Sequence, residues 1–214
     1  MKLLKKELRL ALHPTAILFL ALSAMLMIPS YPYHVVFFYT TLGVFFISMQ
    51  GRENQDVDFT MLLPIRRRDL VQGRYALVVL LELCQLITAI PFCLLRSALP
   101  IPPNPVGLEA NIALLGSALI LYGVFHLVFF GVYYRNVARV GTAFLAGSAA
   151  VFLYIVITEA LPHAVPFIRD RLDTPDPQFL PEKLATLGIC LLVYCAMTAI
   201  SYVGSVRHFE RQDL

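Results

Sequence analysis

The chain reads as an all-α, polytopic membrane protein, and three observations predict this. Hydrophobic residues make up 58% of its 214 and charged residues only 14%, at a mean hydropathy of +0.73, which is too little polar surface to clothe one soluble core. Six apolar stretches, at 14–31, 33–51, 75–95, 111–134, 140–161 and 184–206, each approach the ~20 residues an α-helix needs to cross ~30 Å of hydrocarbon. None alternates polar and apolar residues as membrane-barrel strands do. The expectation is a single transmembrane domain over 1–214 with six transmembrane helices.

The first thirteen residues are amphipathic. Leu3, Leu4, Leu8, Leu10, Ala11 and Leu12 share one helical arc, and Lys2, Lys5, Lys6 and Arg9 share the opposite one, the pattern of a helix lying in the membrane interface. Glu7 falls among the leucines. Either it snorkels to the headgroups, or the helix packs on protein and Glu7 meets a basic residue of the segment 52–74. Pro14 suits the first turn of the next helix. That first span is the weakest, because its apolar run from Thr15 is short and ends at the Pro29/Pro32 pair. A basic start followed by an apolar run resembles a secretory signal. The cleavage-like Ala21-Leu22-Ser23 falls inside the run, however, and five spans follow, so the segment is expected to be retained.

Orientation follows from the basic residues. Lys2, Lys5, Lys6 and Arg9 precede the first span, and Arg52, Arg66, Arg67, Arg68 and Arg74 lie between the second and third. Arg135 and Arg139 separate the fourth and fifth, and Arg207 and Arg211 follow the sixth. Only Arg96, Arg169, Arg171 and Lys183 fall on the other side. The positive side of short loops is cytoplasmic, so both termini are expected there. The net charge of +3 is this bias and carries no nucleic-acid inference.

The segment Arg52–Arg74 is the most informative. It mixes both signs of charge, in Glu53, Asp56, Asp58, Arg66, Arg67, Arg68 and Asp69, with apolar Phe59, Met61 and Leu62. Bulk solvation needs no Phe or Met, so the combination fits a surface that grips another protein. For the arginines, topology determination alone is the competing reading.

Within the spans, ionised Glu82 facing lipid would cost several kcal/mol, so it is expected to face protein, water or a partner. It either contacts a cationic substrate or serves as a structural acceptor. His126, among Phe125, Phe129 and Phe130, is a packing residue or a proton relay, and Glu159 sits near the outer end of its span. Ala143/Gly147 and Ala146/Ala150 have the small-xxx-small spacing of a helix interface, within or between subunits. Cys84, Cys93, Cys190 and Cys195 show no CxxC spacing and read as packing residues. The connections Ser97–Ala110 and Pro162–Lys183 are stiffened by prolines and read as rigid connectors.

The sequence Lys6-Glu7-Leu8-Arg9, two spans, Arg52-Glu53-Asn54, and then Leu63-Pro64-Ile65-Arg66-Arg67-Arg68-Asp69-Leu70-Val71 with Gly73-Arg74-Tyr75 resembles the membrane subunit of type-2 ABC exporters. In pattern it is most similar to the small subgroup of phenol-soluble-modulin and antimicrobial peptide exporters. Arg66 stands where that pattern often has Ser, an N-cap oxygen, and Arg74 stands in place of Lys.

The resemblance implies that residues 1–13 with Glu7 and Arg9 form an elbow helix and that 52–74 is a coupling loop inserted into a separate ATPase. Glu53, Asp56, Asp58, Phe59, Met61, Leu62, Arg66, Arg67 and Arg68 would make that contact. Glu82 and His126 become candidates for the translocation path. The chain has no G-x-x-x-x-G-K-[ST] run, hence no phosphate cradle and no cofactor of its own; ATP and Mg would be bound by the partner. The implied assembly is two permease copies, as a homodimer, with two cytoplasmic ATPase subunits in a bacterial cytoplasmic membrane, exporting amphipathic or hydrophobic peptides. An ion-gradient-driven transporter is the alternative, but no internal repeat supports it. A membrane-embedded enzyme is less favoured, since the sequence has no H-E-x-x-H, no G-x-G-D and no clustered Ser/His or Asp/Asp set.

Overall fold

A computed structural model describes residues 6–8, 12–62 and 65–211. The expectations placed on Arg9, on residues 1–5 and 10–11, and on the side chain of Asp58 lie outside what it describes. All regular structure among the described residues is helical. The long helices are α2 (His34–Glu53), α4 (Arg67–Ala98), α5 (Ile112–Tyr133), α6 (Val140–Ala164) and α7 (Leu180–Glu210), each long and apolar enough to cross a membrane.

The first apolar stretch is shorter. Helix α1 (Pro14–Ala21) starts with Pro14 behind His13, whose Nδ1 accepts from the Thr15 N–H at 3.2 Å, and it continues as a 3₁₀ stretch, Leu22–Met27. At ~1.5 Å per α-helical and ~2.0 Å per 3₁₀ residue the pair reaches about 24 Å. A Cβ on Gly43 of α2 would stand 3.2 Å from that of Ala16, so glycine is what lets α1 and α2 approach closely. Ser23 of the 3₁₀ stretch accepts from Gln85 Nε2 at 2.9 Å and lies 3.2 Å from the Thr88 hydroxyl, which fastens it to α4.

Helix α5 is the hub, with α2, α6 and α7 packed around it. Gly116 meets the backbone of Leu187 and Gly123 meets Met197, so two glycines on one face let α7 lie close. On the other side, Gly147 fits between Phe125 and Phe129, and Ala143 beside it is fully buried. This small-residue pair of α6 is therefore a contact within the subunit. The four cysteines are free.

Helix α4 begins at Arg67, not at 75, so Arg67, Arg68 and Arg74 stand on its first turns. Arg66 is its N-cap without a side-chain oxygen, and Asp69 compensates by accepting the Arg66 N–H at 3.4 Å. Between α2 and α4 lies one short helix, α3 (Asp56–Met61), preceded by Gln55 at φ 51°.

At the opposite, proline-rich end the two connections interlock. Asn111 donates to the carbonyls of Leu172 and Thr174, the Glu109 N–H donates to Asp173, and buried Lys183 donates to Thr174 O and Asp176. Arg96 pairs with Glu109, donates to Pro102 O and lies over the Tyr33 ring. Each buried charge thus has a partner. Burial raises the pKa of Asp173, nearby Glu109 adds to the rise, and the Glu109 N–H opposes it.

Candidate functional site

Three sequence-distant segments meet at the basic end. Arg74, 3% exposed, places Nε 3.2 Å from Glu7 Oε2 and Nη2 3.1 Å from Asp56 Oδ2. Lys6 donates to Asp56 Oδ1 at 2.8 Å and to the Thr60 hydroxyl at 2.6 Å. Two cations and two carboxylates, mostly out of water, thus join the N-terminal segment, α3 and the base of α4. Gly51 lies directly against the clamp, where a Cβ would touch Arg74 Nη2 at 3.4 Å.

This cluster fixes which way α3 faces. Val57 and Thr60 point inward and are buried, whereas Phe59 is 66% and the following Leu62 83% exposed. Met61 is half-buried against the core, and Glu53, Arg66 and Arg68 are exposed. A short helix with its polar side clamped and two large apolar side chains in the open is suited to protein contact. The arginines divide their roles. Arg67 donates to the carbonyls of Phe209 and Glu210, at 3.1 and 3.3 Å, closing the end of α7. Arg68 donates to the Tyr202 hydroxyl at 3.2 Å, and Arg66 is turned outward.

Deeper in the bundle, Glu82 and His126 come together, with Oε1 and Nε2 2.8 Å apart, both residues almost wholly buried. Tyr194 donates to Glu82 Oε2 at 2.6 Å, and His126 Nδ1 lies 3.0 Å from the Thr198 hydroxyl. His126 opens a π-helical turn, His126–Phe130, and its carbonyl accepts from Ser201 at 2.5 Å. A π turn loosens the backbone ladder, and a hydroxyl from α7 satisfies the carbonyl there.

Sequence reasoning missed two arrangements. The first is a hydroxyl stripe on α7, Tyr194, Thr198, Ser201 and Ser205, of which Ser201 and Ser205 bond the Tyr75 hydroxyl at 2.7 and 2.9 Å. Its four-three-four spacing opposite an apolar face was the available signal. The second joins His34, Ser117, Tyr154 and Glu159. His34 Nδ1 lies 2.7 Å from Glu159 Oε1, His34 Nε2 lies 2.7 Å from Ser117 Oγ, and the Tyr154 hydroxyl is 2.8 Å from Ser117 Oγ. Glu159 is thus buried against protein near the outer end of its helix, and nothing in its local sequence pointed to His34. Although a serine, a histidine and a carboxylate line up, Ser117 sits inside α5, whose N–H groups serve the helix, so no backbone oxyanion hole faces it.

The profile of the ABC-2 family transporter proteins matches residues 2–210 of the chain. Neither curated proteins nor solved structures yielded a match. Because that profile spans nearly the whole bundle, from the N-terminal segment to the last helix, the chain belongs to the ABC-2 family of transporters, a family of membrane permeases that lack their own ATPase domain.

Proposed function

We propose that this permease moves amphipathic or hydrophobic peptides out of a bacterial cytoplasm, as two copies driven by two separate ATPase subunits that bind the ATP and Mg. Membrane subunits of this family pair with ATPase subunits. The observation that carries the reading is the orientation of α3, which exposes Phe59 and Leu62 while Lys6, Glu7, Asp56 and Arg74 hold its other side. A helix held in this way passes a push from outside to α4 and to the N-terminal segment together, which is what coupling to a remote ATPase requires. Glu53, Arg66 and Arg68, exposed in the same stretch, supply charges for register, and Asp58 belongs to that stretch too. Glu82 and His126 reach a passing peptide only when α4 and α7 separate. The peptide class itself rests on the likeness of the 50–75 stretch to peptide exporters and on spans rich in Phe, Leu and Val.

Cross-linking tests the reading. Leu62→Cys, coupled to a photoreactive reagent, is expected to label a co-purifying ATPase, and adding the exported peptide is expected to stimulate that ATPase. Labels landing only on lipid or on the permease would sink the coupling surface. An ATPase that peptides leave unmoved would sink the cargo.

A further inference from the structure

We propose that the cleft between α6 and α7 at the proline-rich end binds a neutral amphiphile of the bilayer, one carrying an apolar chain and, next to it, a hydroxyl or N–H donor. Both helices pack on α5, and between them lies a crevice of about 280 Å³. The turn Ile168–Leu172 closes it at the outer end, and Ile157, half exposed, stands at its mouth. The volume, just below the ~300 Å³ at which small-molecule pockets begin, suits part of one chain, with the remainder left in the bilayer.

The floor decides what else the ligand carries. Ser117, Tyr154, Thr158 and Thr186 supply the hydroxyls there; Thr158 donates to the Tyr154 carbonyl and Thr186 to the Glu182 carbonyl, while Ser117 and Tyr154 are backed by His34 and Glu159. If His34 Nε2 is bare, the Ser117 hydroxyl donates to it, and the Tyr154 hydroxyl donates to Ser117 Oγ or to the Ser117 carbonyl, 2.9 Å away. If Nε2 carries a proton, it donates to Ser117 Oγ, Ser117 donates to Tyr154, and Tyr154 donates to the carbonyl. In both patterns each hydroxyl proton has an acceptor inside the protein, which leaves lone pairs for the crevice. An ether or ester oxygen meets no hydroxyl donor there, only the weakly donating thiol of Cys190. A hydroxyl or amide N–H does meet an acceptor, and apolar surroundings make leaving it unpaired costly. The mouth opens between apolar outward faces, with exposed Ile157 on α6 and exposed Ile189 next to the lining Cys190 on α7, so the ligand enters sideways from the membrane.

The test uses the full-length protein in nanodiscs of phosphatidylcholine, a lipid without hydrogen-bond donors, and a photoreactive monoacylglycerol. Labelling is expected to concentrate on cleft residues such as Ile157 and Cys190. Unlabelled monolaurin is expected to compete at least tenfold more effectively than its dimethyl ether. Ser117→Ala should narrow that ratio while chain binding persists, and Ala113→Phe, which fills the crevice, should remove the labelling. Labels spread over all lipid-facing helices, or equal competition by alcohol and ether on the unaltered protein, would overturn the proposal. The competition ratio is measured on the unaltered protein, so it decides the matter even where Ala113→Phe fails to fold.

Discussion

Arg74 and Glu7, from the first turns of α4 and the N-terminal segment, face each other at 3.2 Å with almost no access to water. Removing one member of a buried pair costs about 3–5 kcal/mol, chiefly because the other charge is left stranded. Arg74 has a second carboxylate in Asp56, so Glu7→Gln should fall at or below the lower end of that range and Arg74→Gln nearer the upper. Thermal unfolding of the purified protein measures the order. If Glu7→Gln leaves stability, assembly with the ATPase and transport all unchanged, the clamp has no role.

The Glu82–His126 contact makes a second prediction. Either single replacement, Glu82→Gln or His126→Gln, strands a polar partner in the membrane interior, so the double variant should lose less than the two singles added. Coupling of about 1–3 kcal/mol is expected for groups in contact. Tyr194→Phe removes one hydrogen bond and should cost about 1 kcal/mol, in line with the ~0.6–1.7 kcal/mol measured for such bonds in membranes. A double-mutant cycle on unfolding midpoints reads both.

Gly107 occupies a place that admits no side chain. A Cβ there would fall onto the Glu159 carboxylate and within 3.0 Å of the Glu159 Cα, and that carboxylate is held by His34. Gly107→Ala is expected to cost about 1–3 kcal/mol as overpacking, whereas Gly141→Ala, with open space around it, should be neutral or slightly stabilising. Comparing the two unfolding midpoints separates site strain from any general effect of replacing glycine.

Asp173 supplies the pH dependence. Its pKa in the folded cap lies above the ordinary carboxyl value, so in the window between the two the folded state binds the extra proton. Stability is therefore greatest below the unfolded pKa and falls as pH rises through the folded one. Asp173→Asn keeps an acceptor for the Glu109 N–H and should flatten this slope in mildly acidic buffer, measured as the unfolding midpoint against pH.

The helices were legible because spans of this length in so apolar a chain have few alternatives, and the 52–74 stretch stood out by composition alone. The pairing of Glu7 with a base from that stretch was one of two options left open by its place on the hydrophobic arc. What sequence did not disclose is which polar groups meet across helices. Glu82 and His126 each stood out, yet only the rotation of α4 against α5 brings them together. Glu159 stood out only as an acid near the outer end of its span, and His34 gave no local sign, since it lies at a helix start where polar residues are unremarked. How far α4 extends ahead of its apolar stretch was hidden for a similar reason. Asp69 caps from within the helix, and a basic run reads as loop until that cap is seen.

On the expectation of six crossings, the shortness of the first has a mechanical consequence for the lipid. About 24 Å of α1 and its 3₁₀ continuation must match a hydrocarbon layer of ~30 Å, and a segment too short for its bilayer draws the leaflets together around it. Glycine-close packing ties α1 to α2, and Ser23 ties it to α4, so it is not free to tilt independently of them. The expected consequence is a fixed dimple in the membrane along one flank, where an amphiphile would have a shorter distance to travel between leaflets.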